Sequence, residues 1–353
     1  MRVLATGATG HIGSNTVRAA LEIGWDVVAL ARPGSRRTAL EGLEVEIREG
    51  DLLDAEAVAR AVQGVEAVLH VGAVHRQATA DPDLLIRPAV EGTRHVLEAA
   101  SKAGVGRVVV TSSGATVGFG LDPDHPLDES HRLETAKSAY TRAKIEQEKL
   151  ALSWVGKPGA PEIVVLNPSG VLGPYDYRIT PATRSILGLL GGDPAFLALC
   201  PTDVRDVGAA HVLAAERGRP GERYLITGDV VKPKQLAALF GELTGVRPLT
   251  IRPPAFLLKL AIGGKEQQAI RDGGDTAASR DAVDALAGGH LVYDSKKSRE
   301  ELGMRYRPAR EVLVDTLRWL LFVNVLAPKV AARVRAKLGE RAAPDPDWVP
   351  PGA

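Results

Sequence analysis

The chain has 353 residues, 45% hydrophobic and 25% charged, which suits a globular protein with one large α/β domain and a smaller companion. Its 44 Lys and Arg against 43 Asp and Glu leave a net charge of +1, so nothing points to nucleic acid as a partner. Cys200 is the single cysteine, which excludes an intrachain disulfide and predicts a reducing, cytoplasmic setting with the thiol as a small buried hydrophobe.

In chain order, RVLATG (2–7) reads as a strand and GHIGSNTVRAALEIG (10–24) as a helix with an apolar face at Ile12, Val17, Ala20 and Leu21. DVVALAR (26–32) predicts a second strand, and VEIREGDLL (45–53) a third that leads into a helix opened by Asp54. AVLHVGA (67–73), RVVVTSS (107–113) and EIVVLNPS (162–169) continue the series. Continuous β-branched runs alternating with helices predict strands buried on both faces, in a Rossmann-type, doubly wound parallel sheet spanning residues 1–170. After residue 170 glycine and proline become frequent. Short helices are expected at 182–190, 206–216 and 232–244, with RYLITG (223–228) as an isolated strand, in a smaller α+β substrate lobe over 171–330. Residues 263–290 resist assignment.

The N-terminus lacks the basic start and apolar run of a signal peptide, and no stretch approaches the ~20 apolar residues of a spanning helix. LRWLLFVNVLAP (317–328) predicts a helix packed on the body of the protein. The basic KVAARVRAKLGER that follows leaves weak contact with a membrane surface open. Residues 331–353 form a basic, then proline-rich tail expected to fray.

The glycines of TGATGHIG (6–13) lie between a strand and a helix. Gly7 permits a tight turn, Gly10 a close approach of backbone to a pyrophosphate, and Gly13 close helix–strand packing. Thr9, His11 and Ile12 then belong to the loop and helix N-terminus that face the phosphates. At the end of the second strand, where an acid would take the ribose hydroxyls of NAD, stands Arg32, with Arg36 and Arg37 beyond it. A guanidinium binds a 2′-phosphate that a carboxylate would repel, so NADP is expected ahead of NAD. Asp51 is placed to accept from an adenine amine, with the N–H of Leu52 completing the recognition. Val71, Gly72 and Ala73 line the approach of the central ribose.

In SAYTRAKIEQE (138–148), Tyr140 and Lys144 are four apart and share a helix face. A nearby ammonium would favour the phenolate and lower the tyrosine pKa. The preceding strand ends at Thr111, Ser112 and Ser113, at the edge where open α/β sheets bind ligands. Taken together, TGATGHIG, GDLLD, HVGA, VTSS, YTRAK, LNPSGVLGP and DVRDV resemble the extended short-chain dehydrogenases/reductases, over about residues 1–320. The resemblance implies Tyr140 as general acid/base, Lys144 as the residue that orients the nicotinamide ribose, and Ser113 as the group that polarises the substrate oxygen, with Ser112 the neighbouring candidate. It also places Thr111, Pro168 and Ser169 against the cofactor, and Val171, Tyr175, Tyr177 and Arg205 near the substrate; a structural salt bridge is an equal reading of Arg205, and core packing of the tyrosines.

Arg32 and RPAVEGT (87–93) are similar to the dihydroflavonol 4-reductase, cinnamoyl-CoA reductase and aldehyde reductase branch. The first expectation is an NADP(H)-dependent reductase of a small carbonyl compound, or an alcohol dehydrogenase in reverse. A nucleotide-sugar epimerase or dehydratase with tightly bound NAD(P) is the alternative, and a non-catalytic NADP-binding regulator the third. No metal is expected. The family often dimerises through two helices of each subunit, and a homodimer is left open.

Overall fold

The computed structural model describes residues 1–73, 77, 79–120, 122–276 and 289–339. Part of the unassigned 263–290 stretch and most of the tail therefore lie outside the described residues.

Six strands follow the expected order: β1 (Arg2–Thr6), β2 (Asp26–Ala31), β3 (Glu46–Glu49), β4 (Ala67–His70), β5 (Arg107–Thr111) and β6 (Glu162–Pro168). Helices α1 (His11–Glu22), α2 (Ala55–Ala61), α3 (Asp83–Ala103) and α4 (Ala139–Leu152) connect them. Two further strands, β7 (Val171–Leu172) and β8 (Thr202–Asp203), form a separate parallel pair, with α5 (Pro181–Leu190) between them and α6 (Val204–Arg217) after. The sheet closes with β9 (Arg223–Ile226), giving the parallel order β3-β2-β1-β4-β5-β6-β9. The strand expected to stand alone is thus the seventh of the main sheet, in register with β6 through Val165–Arg223 and Pro168–Ile226. Its four residues are buried, and the helix expected just before it, over 206–216, is α6, which carries the chain back to the sheet edge beside β6.

Successive strand residues point to opposite faces, and each face has its own core. Val3, Ala5, Val27, Ala29, Val109 and Leu166 pack against α1 and α6 through Val17, Ala20, Val207 and Ala210. Leu4, Val28, Val68, Val108, Val110 and Val165 pack against α2 and α3 through Val58, Val62, Val96 and Leu97. Full burial of each valine or leucine among them stabilises the fold by roughly 1.5–3 kcal/mol before entropy is counted. Asp54 caps α2 as expected, accepting from the N–H groups of Glu56 and Ala57 at 3.0 Å each.

A third core gathers α5, α7 (Pro233–Thr244), α10 (Ala309–Phe322) and α11 (Pro328–Leu338) around Phe240, Leu317 and Leu320. The apolar 317–328 stretch is a packed helix only as far as Phe322, where α10 ends; a turn over 323–327 then leads into α11, which buries Ala331 and Val334 in the same cluster. The exposed α8 (Ala255–Arg271) and the short α9 (Lys296–Glu301) complete the described helices. No helix among the described residues is long and apolar enough to cross a membrane. Cys200 is a fully buried free thiol, as expected.

Candidate active site

The C-terminal ends of β1, β4, β5 and β6 meet at one edge, and the glycine loop leaves β1 there. Gly7 has φ +64°, and a Cβ on it would stand 2.7 Å from Gly72 Cα. A Cβ on Gly13 would stand 2.1 Å from the Gly7 carbonyl oxygen, which only a hydrogen at that position avoids. The Gly10 N–H closes the turn on the Gly7 carbonyl at 2.9 Å, and α1 begins at the next residue with no side-chain cap. Its first N–H groups are directed at whatever anion sits before the helix. Gly72, whose N–H donates to Thr6 Oγ1 at 3.0 Å, brings β4 against the same loop. Such a cradle, which a side chain would fill, fits a dinucleotide pyrophosphate. Asp51 is turned inward on its own loop, Oδ1 accepting from the Leu53 N–H at 2.9 Å, while the Leu52 carbonyl accepts from His95 at 2.8 Å.

The catalytic candidates converge at the end of β5. Ser113 hydrogen-bonds the half-buried Tyr140 side chain, and its Oγ also accepts from the Ala115 N–H at 3.2 Å. Lys144 is buried, and its Nζ donates to the Thr111 carbonyl and to Gln147 Oε1, both at 2.9 Å. Burial lowers its pKa to about 8, with the Glu148 carboxylate acting in the opposite direction. Tyr140 departs from expectation. Burial pushes its pKa up, the Ser113 hydrogen bond only partly offsets this, and Lys144 is directed elsewhere, so the protein alone keeps the phenol protonated.

Several other candidates are placed differently from the sequence reading. Ser112 Oγ donates to Glu148 Oε2 at 2.5 Å, inside a buried network with Thr116, Asn167 and the Arg223 guanidinium, so it is not at the substrate position. The Thr111 side chain bonds His211 Nε2 at 2.7 Å in the core, and only its carbonyl serves the site, through Lys144. Arg205 forms a fork on Asp203, with both contacts at 2.8 Å, and reaches Asp315 at 2.5 Å; it is a structural clamp. Tyr175 and Tyr177 line a cavity of about 190 Å³ with Thr9, His11 and Arg36, on the glycine-loop side and apart from Ser113 and Tyr140. Pro168 ends β6, Val171 opens β7, and the Ser169 hydroxyl bonds the buried Tyr293.

The family model described as "NAD dependent epimerase/dehydratase family" matches residues 3–193. The chain belongs to that family. It is 33% identical over 326 residues to a Synechocystis protein named "Putative dihydroflavonol 4-reductase", covering 89% of this chain and 93% of that one. It is also 33% identical over 332 residues to the sterol demethylase protein B of Methylococcus capsulatus, covering 90% and 98%. Among solved structures it resembles gox2253, with a TM-score of 0.77 and 30% identity over 91% of this chain and 97% of that one. A nucleoside-diphosphate-sugar epimerase of Pseudomonas aeruginosa gives a TM-score of 0.71 at 26% identity, covering 91% and 97%.

Within this epimerase/dehydratase frame, the structure adds a chain of contacts that sequence reading missed. Gln147 Nε2 donates to Thr93 Oγ1 at 2.9 Å, Thr93 meets His70 Nε2 at 2.9 Å, and His70 Nδ1 meets Thr6 Oγ1 at 2.8 Å. This run ties Lys144 to the root of the glycine loop. Its one legible signal was Gln147, three residues after Lys144 and so on the same helix face.

Proposed function

We propose that the chain is an NADP(H)-dependent oxidoreductase that interconverts a small carbonyl compound and its alcohol. The observation that carries this reading is the Ser113–Tyr140 hydrogen bond beside buried Lys144, with Tyr140 held in its protonated form. Reduction of C=O to CH–OH needs a hydride on carbon and a proton on oxygen. NADPH supplies the hydride when bound. Ser113 holds the carbonyl oxygen through its hydroxyl, and the Tyr140 Oη proton passes to that oxygen as charge develops on it. Gly7, Gly10 and Gly13 with the start of α1 would hold the pyrophosphate, Lys144 the nicotinamide ribose, and Arg32 with Arg36 the 2′-phosphate. Arg37 is the less suited neighbour, since it is paired with Glu49. The dihydroflavonol 4-reductase relative supports the reductase branch.

The test is loss of NADPH absorbance with purified protein across aldehydes and ketones of graded size. Tyr140→Phe is expected to lower turnover by at least about 100-fold while NADPH affinity stays within about twofold. Full activity in that variant refutes the role of Tyr140. Conversion of a nucleotide sugar with no net change in NADPH would instead establish the epimerase reading.

A further inference from the structure

The cavity beside the glycine loop is walled on one side by the segment after β7. Thr9 and His11 come from the loop and the start of α1, Arg36, Thr38 and Ala39 from the connection after β2, and Tyr175, Tyr177 and Arg178 from that segment. Three guanidiniums gather here: Arg36 and Arg178 line the cavity, and Arg32 lies close enough to Arg178 to act on its charge. None of the three pairs with a carboxylate among the described residues. Like charges brought together cost free energy that Asp176, acting on Arg178, offsets only for that one guanidinium, so a bound anion is favoured here. The remaining polar groups agree. The His11 side chain is 4% exposed with no partner on Nε2, and the buried Tyr177 hydroxyl also has none. Buried donors without partners are uncommon in folded proteins.

The segment is held firmly enough to present a ligand. Tyr175 and Ile179 have φ of +66° and +50°, a backbone region that non-glycine residues seldom adopt. The Arg18 guanidinium lies 3.6 Å above the Tyr175 ring and is itself anchored on the Ser14 and Ala39 carbonyls. Trp319 packs edge-on to Tyr177, with ring centroids 4.9 Å apart. Between them the buried Asp176 Oδ2 accepts from the Thr180 N–H and hydroxyl at 2.8 Å each and from Thr183 Oγ1 at 2.7 Å. Asp176 Oδ2 also lies 4.0 Å from His11 Nδ1, so the carboxylate orients the imidazole as well as bracing the segment. Arg178 is the cation left facing the cavity.

We propose that Arg178, with the unpartnered His11 Nε2, completes a phosphomonoester site that takes the 2′-phosphate of the cofactor, so that both lobes read the phosphate. This rests on the NADP reading above, and it adds a specificity residue from beyond the nucleotide-binding half of the chain. Arg178 is exposed, so replacing it leaves the core untouched.

Calorimetric binding of NADPH, NADH, adenosine 2′,5′-bisphosphate and 5′-AMP to wild type and Arg178→Gln tests it without turnover. Wild type is expected to prefer NADPH and the bisphosphate. Arg178→Gln is expected to weaken those two by about tenfold, the size of one charge-assisted hydrogen bond, and NADH and 5′-AMP by less than about twofold. If wild type prefers NADPH and the variant keeps the same ratio, Arg178 has no part and the NADP reading stands. Equal weakening of NADPH and NADH would place Arg178 on the pyrophosphate and overturn the assignment. A wild type that does not discriminate between the two dinucleotides removes the NADP reading itself.

Discussion

Lys144 makes the site's electrostatics measurable. Its ammonium has two acceptors at 2.9 Å, the Thr111 carbonyl and Gln147 Oε1, and burial sets its pKa at about 8. A lysine is charged below its pKa, so roughly nine-tenths of the protein carries the ammonium one unit below that value and one-tenth one unit above it. In the proposed site the charged form would donate to the nicotinamide ribose, so NADPH affinity is expected to hold at neutral pH and decline as pH rises through about 8. Tyr140, pushed upward by burial, does not titrate in that range. Gln147→Leu removes one acceptor from the charged form. A hydrogen bond to a charged group contributes about 1.5 kcal/mol, close to one pKa unit, so the midpoint should fall by about one unit. Thr93 loses the Gln147 amide but keeps its bonds to His70 and to the Ala89 carbonyl at 2.6 Å, which leaves the core intact. The assay is NADPH fluorescence titration across about pH 6 to about pH 10. Affinity that is flat with pH, or a midpoint that Gln147→Leu leaves in place, refutes the reasoning.

Two other predictions concern the frame around that lysine. His70 and His211 are buried, and burial lowers their pKa values from 6.5 to about 3 and about 4. The unfolded chain therefore binds more protons, and the stability these neutral rings carry is complete above pH 6.5 and lost as pH falls below it. At pH 5 each costs about 2 kcal/mol, so urea midpoints should show a loss of about 2 kcal/mol less between neutral pH and pH 5 in His211→Gln than in wild type. Glu129, Asp206 and Asp315, raised by burial, act in the opposite sense but equally in both proteins. An identical acid loss in the two would remove His211 from the account. Gly13→Ala, whose Cβ would meet the Gly7 carbonyl at 2.1 Å, should lower stability by about 1–3 kcal/mol and weaken NADPH binding. An unchanged melting temperature together with unchanged affinity would show that the loop yields at little cost.

The glycine loop, Ser113, Tyr140 and Lys144 were legible because each depends on local spacing. Three glycines between a strand and a helix, a YxxxK pair on one helix face, and hydroxyls at a strand end are all short-range patterns. The buried strands were legible for the same reason, since runs of valine and leucine announce burial on both faces. Even β9 was recognised as a strand; what its four residues do not carry is the identity of the neighbour they pair with.

The sequence by itself determined the layered sheet, the glycine loop between β1 and α1, and Ser113, Tyr140 and Lys144 as candidates at the end of β5. Tertiary structure decided which neighbour each polar group meets. Ser112 and Ser113 are adjacent and chemically identical, yet one is drawn to Glu148 and the other to Tyr140, because successive residues at a strand end face opposite ways. Arg205 found Asp315 across 110 positions, and Tyr175 and Tyr177 came to lie over α1 and the β2 connection, because burial leaves a polar or aromatic side chain only the partners that distant segments bring. Local pattern names the groups that can react, and long-range packing assigns their roles.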